Sequence, residues 1–284
     1  MKQTKDIMYQ PRTIASVSVK TVTLDIPLTD QLDRAYMSPQ LVQFAAPAGA
    51  PREMGLEAMS ITLAPTCSGK LIGDDSCAGK AVNVLSWSTD SWMRLLSITG
   101  FNNAVNVQRD ASRVTVQKVS LHRDHATDNG AGYAADIAIS GYQVLVVDSG
   151  TKATSDRANS FPVVTQRLTP GPNAVVRHFG QLPVSAIQPH AHWAHGLLID
   201  NTTATTTLIN RATAGSGHGW AISAGVAWNI IGDYNVQSPP LGTNWCVGCH
   251  AGDSGRGNNG TMVEEGSEVE PASLFEAQLA TRLA

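Results

Sequence analysis

Lys118-Val119-Ser120-Leu121, and one repeat later Leu145-Val146-Val147-Asp148, carry the pattern that decides the fold: a short apolar stretch interrupted or ended by a polar turn residue. Met59-Ser60-Ile61 and Leu96-Ser97-Ile98 are earlier versions of the same unit. Such units return every roughly 20 to 35 residues, the period of a solenoid. Working outward, alternating apolar stretches fall at 21–25, 56–63, 81–85, 92–98, 105–107, 113–121, 137–139, 143–147, 174–177, 196–200 and 219–231. Alternation at period two marks strands with one buried face.

The composition agrees with strands. Gly (25) and Pro (14) punctuate a chain rich in Thr, Ser, Val and Asn, and only 15% of it is charged. β-Branched residues broken by Gly and Asn describe short strands joined by turns. A sandwich would show denser hairpin signals. Here long polar excursions at 67–80, 124–135 and 151–161 separate the strands, which a solenoid tolerates because loops grow outward. The expected fold is all-β, a right-handed parallel β-helix with a short C-terminal helix.

The β-helix is expected over residues 1–250, shortened at its N-terminus because no polar cap precedes the first coil. Residues 251–284 are expected to be a flexible segment, rich in Gly, Asn and Ser, followed by a helix opened by Pro271. Leu274, Leu279 and Leu283 would give that helix the side that packs on the solenoid.

A net charge of -3 gives no electrostatic reason to expect nucleic acid, and no apolar run is long enough for a membrane span. The expected location is secreted or cell-surface, although this chain opens with no apolar export signal.

Chemistry-bearing residues gather in two places. In Pro189-His190-Ala191-His192-Trp193-Ala194-His195, the first two His alternate and share a face on a strand. Gly215-Ser216-Gly217-His218-Gly219-Trp220 follows about one repeat later, with Arg211 between. Stacking would bring His190, His218 and Arg211 together as catalytic groups, with Trp193, Trp220, His192 and His195 as substrate contacts. The same His set is a candidate zinc or copper site. The second place is the loop with Asp124 and Asp128, and Asp136 beyond it. Asp124 and Asp128 are candidate substrate contacts on a binding-type loop. All three carboxylates suit Ca²⁺ or the acid pair of a glycoside hydrolase, and a solvated turn equally.

Cys67 and Cys77 could close a small loop as a disulfide. Cys246-Val247-Gly248-Cys249-His250 has the spacing of a c-type haem attachment, and equally of a disulfide, a redox pair or half a metal site.

The second half resembles secreted microbial right-handed β-helix proteins of the pectate-lyase-like superfamily. The matching stretches are Pro189-His190 with Trp193, residues 196–201, Asn210-Arg211, residues 215–220, residues 226–229, residues 237–240, residues 244–249 and residues 271–279. His192 stands where that pattern more usually has Arg, and Ala212 where it usually has Gly. The resemblance implies the fold, and an activity among lyases, hydrolases and non-catalytic binding proteins. Lyase is preferred within it: a polysaccharide partner, a His base and Arg211 to neutralise a uronate carboxylate. The alternatives are a hydrolase using an Asp pair, or an adhesin that binds glycan without cleaving it.

Overall fold

The structure is a computed structural model describing residues 7–63, 79–124, 134–154, 160–181, 186–250, 252, 257 and 259–284. Its backbone is dominated by parallel strands. The chain returns repeatedly to one 12-stranded sheet, each new strand lying parallel to the previous one. Ser112–Gln117, Tyr142–Val147, Asn173–Val176 and Leu197–Asp200 are successive rungs of this sheet. A second parallel sheet stacks Lys80–Val84, Asn103–Val107, Ala135–Ile139 and Phe161–Thr165.

Register explains why like residues recur. Met93, Val116, Val146, Val175, Ile199, Ala227 and Cys246 pair in turn along the long sheet. Val82, Val105, Ile137 and Val163 do so along the second. The two ladders meet in a single apolar core. Parallel strands buried in this way need β-branched residues, which lose little χ1 freedom on a pleated surface.

A column of left-handed residues turns the chain at one edge of the rungs. Leu95, Lys118, Asp148, Arg177, Asn201, Asn229, Gly248 and Glu264 all have φ between 46° and 67°. Each amide from Lys118 to Gly248 donates to a carbonyl one rung on: Lys118 to Val147, Asp148 to Val176, Arg177 to Asp200, Asn201 to Trp228, Asn229 to Val247 and Gly248 to Val263, at 2.8–3.1 Å. The turn therefore costs no ladder hydrogen bond. The long strand Thr89–Thr99 shows the device clearly, pairing Ser112–Gln117 before Leu95 and Ser120–Arg123 after it. At Gly248 a Cβ would run into Asn229 Oδ1, so glycine is required there.

Three expectations need correction. Residues 21–25 do not join the main sheet: Thr21–Leu24 pairs antiparallel with Ile14–Ser18 in an exposed hairpin. The sheet also runs past residue 250, because Thr261–Val263 adds a rung on Trp245–Val247. The helix does form, as Leu274–Leu283 with Ser273 as N-cap, but Leu279 and Leu283 are exposed. Its anchor is Phe275, which packs on Val147, Ala174 and Val176 on the outside of the sheet. Asp200 accepts hydrogen bonds from Ser273 Oγ and the Phe275 amide, each at 2.7 Å, and Arg177 pairs with Glu276. Among the described residues no helix is long and apolar enough to cross a membrane.

Ile199 lies in the middle of the inward ladder, fully buried. Ile199→Ala should cost about 2–5 kcal/mol in denaturant unfolding. Leu279→Ala, on the exposed side of the helix, should change stability by less than about 0.5 kcal/mol. Equal losses would contradict this placement of core and helix.

Candidate functional site

Two segments build the His-rich site. His190 follows the strand-like stretch at Ile187, and its amide donates to the Thr165 carbonyl at 2.8 Å, which sets it at the end of the second sheet. Residues 210–220 form an outward loop closed by an antiparallel bridge between Asn210 and Trp220. Gly215, Gly217 and Gly219 all take positive φ in this loop. At 215 the glycine is needed twice over, since a Cβ would press on the His218 ring. The loop then lies against the first segment: the amides of His192 and Trp193 donate to the carbonyls of His218 and Trp220 at 3.0 and 2.9 Å.

This backbone pairing stacks the side chains. The His190 and His218 rings lie 4.5 Å apart between centroids, and His192 and His218 lie 6.5 Å apart edge to face. Arg211 Nη1 donates to the His190 carbonyl at 2.7 Å and sits 3.4 Å from His190 Nδ1. A guanidinium only donates, so that Nδ1 accepts and the proton of neutral His190 belongs on Nε2. Burial lowers the pKa of all three imidazoles, and the Arg211 charge pushes His190 and His218 the same way. His190 is brought down to about 4. Arg167 adds to the lowering at His192. The site is a set of neutral imidazoles inside a positive field, a setting that favours an anion.

His190, His192, His218 and Arg211 thus come together. Trp220 is half-buried at the foot of the loop. His195 and Trp193 are placed differently from their expected role. His195 is 1% exposed, with Nδ1 held 2.7 Å from Thr29 Oγ1. The Trp193 indole Nε1 donates to Asp30 Oδ2 at 2.8 Å. An N-terminal arm lies over both, further tied by Arg12 Nη1 to the Gly171 carbonyl at 3.0 Å. Nothing local to residues 189–195 announces an arm contributed from 163–166 residues earlier.

The carboxylates also take structural posts. Asp136 is buried, ion-paired with Arg123 at 3.0 Å and accepting from Ser160 Oγ at 2.6 Å. It is turned inward, away from any groove shared with Asp124, which is exposed. Asp200 is committed to capping the terminal helix. Asp128 and the Cys67–Cys77 pair lie outside the described residues. Among those described, no group of three His, Cys, Asp or Glu is arranged to hold a metal ion. Cys246 and Cys249 form a disulfide inside the core, so neither sulfur is left for haem attachment or metal ligation.

Comparison of the chain with protein-family models, curated proteins and solved structures finds no match.

Burial brings His178, His190 and His195 from the ordinary 6.5 to about 4. Between those values the unfolded chain binds more protons than the folded one, so stability rises with pH across that window. It should fall as pH drops from about 6.5 to about 4 and gain nothing from these groups above it. His178→Leu should flatten part of that acid limb. An unchanged slope in denaturation followed at several pH values would count against a buried neutral His178.

Proposed function

We propose that the stacked sheets form a right-handed parallel β-helix of the pectate-lyase-like kind, exported from the cell, that cleaves an acidic polysaccharide by β-elimination at the His218–Arg211 site. Parallel crossover connections are right-handed in nearly all folds, which supports the hand. The internal disulfide suits an oxidising compartment.

The observation that carries the activity is the convergence of Arg211 with neutral imidazoles, while Asp136 and Asp200 are engaged by Arg123 and by the terminal helix. Elimination from a uronate needs its carboxylate neutralised, which acidifies the adjacent C–H. Arg211 supplies that charge. His218 takes the proton, the carbon–carbon double bond forms, and the glycosidic C–O bond breaks with the sugar oxygen leaving. His190 is the positioning residue, because its carbonyl and Nδ1 hold Arg211. Hydrolysis would instead need two carboxyl groups flanking the bond. A binding-only surface is the second reading, favoured by the depth of His218, which is 8% exposed.

The test is a polyuronate panel read by absorbance at about 235 nm for the unsaturated product, and by reducing ends. Both should rise together. His218→Ala should lower the rate by about 10²-fold or more with unchanged thermal unfolding. Reducing ends without the absorbance would mean hydrolysis. Polyuronate binding with neither signal would establish the binding-only reading.

A further inference from the structure

The long sheet carries a recess distinct from the cluster of His190, His192, His218 and Arg211. A depression of about 300 Å³ on its outer face is lined by Glu57, Trp92, Met93, Arg94, Thr115 and Gln117. Trp92 pairs in register with Gly55 on one side and Thr115 on the other. Its indole lies over Gly55, where a Cβ would sit 2.6 Å from the ring. Glycine therefore makes the seat for the indole. The ring is also held at its edge: Nε1 donates to Glu57 Oε1 at 2.5 Å, and Arg94 Nη2 donates to Glu57 Oε2 at 2.9 Å. Trp92 nevertheless keeps 39% of its surface exposed.

This arrangement differs from the apolar side chains exposed singly elsewhere on the chain. An aromatic face fixed in orientation and framed by hydrogen-bonding groups is a platform rather than a patch. The charges at its rim cancel, because Glu57 and Arg94 are paired with each other. What remains for a ligand is one flat apolar face beside donors and acceptors without net charge. The C–H face of a pyranose ring and its surrounding hydroxyls match that pattern. Further along the stack the outer face is covered, since Phe275 of the terminal helix, with Leu145 and Leu198, packs on Val147, Ala174 and Val176. The open stretch is thus short.

We propose that the Trp92 recess is a binding subsite for a pyranose ring of a neutral glycan, stacked on the indole and hydrogen-bonded by the Glu57–Arg94 pair, Thr115 and Gln117. It does not depend on the elimination reading. From Trp92 the register runs through Thr115 and Leu145 to Ala174, the rung that leads into His190. Three rungs at ~4.8 Å put the two sites about 14 Å apart along the stack.

The experiment is titration of the full chain with neutral β-glucan, α-glucan, xylan and mannan oligosaccharides, and with polyuronate oligosaccharides beside them, by calorimetry and by saturation-transfer NMR. At least one should bind, with Trp92→Ala weakening it tenfold or more and Trp92→Phe falling between. His218→Ala should leave this binding unchanged, so failure of the elimination reading and failure of this one are separable. Equal thermal unfolding of the Trp92 variants excludes a folding loss, and a ring-retaining Trp92→Phe serves where Trp92→Ala does not fold. No binding at about 10 mM sugar, a concentration that reveals even affinities weaker than about 1 mM, would overturn the proposal. So would affinity indifferent to Trp92, or binding confined to polyuronates.

Discussion

The left-handed corner is the constraint on which the rest of the structure depends. One residue per rung turns the backbone while its amide still reaches a carbonyl one rung on, as Lys118 reaches Val147 and Asn201 reaches Trp228. A left-handed L-residue costs roughly 1–2 kcal/mol. Asp148, Asn201, Asn229 and Gly248 are residue types at ease there. Lys118, Arg177 and Leu95 are held there by the ladder on either side. Because the corner recurs in register, inward positions stack like on like, and Val116, Val146, Val175 and Ile199 form one continuous wall. Outward positions stack as well: Arg177 Nε meets Asp148 Oδ1 at 2.6 Å from neighbouring corners.

Between corners the chain is free to vary, and the candidate chemistry sits where it does. The loop at 210–220 grows from one rung and folds back on the segment at 190–193 of the rung before. Neither segment alone makes the cluster. The two ends of the described chain decide what else stays open. The helix covers the outer face around Val176, and the N-terminal arm covers His195. Arg211 with His218 and the recess at Trp92 remain uncovered by either.

The stacked parallel architecture was legible because its signal is periodic. The pairing of His190 with His218 was legible for the same reason, since two segments about one repeat apart must lie side by side. The helix was legible from its Pro and helix-forming residues, but its buried side was not. Leu279 and Leu283 satisfy a helical stripe, whereas docking through the first turn selects Phe275 and the Ser273 cap. Spacing alone left Cys246 and Cys249 open among several chemistries, and only their burial in the core reveals a disulfide.

By itself the sequence determined most of the strands between residues 56 and 231, their parallel stacking and the inward ladder, because each follows from local alternation repeated at a regular interval. The tertiary structure alone decided which polar residues remain available for chemistry. Asp136 spends its carboxylate on Arg123, Asp200 on the helix cap, and Trp193 its indole on Asp30. The last two of these partners stand dozens to more than a hundred residues away, and Arg123 lies across a polar excursion. Contacts at such separations leave no periodic trace in the chain, so they appear only when the rungs and the two ends are in place.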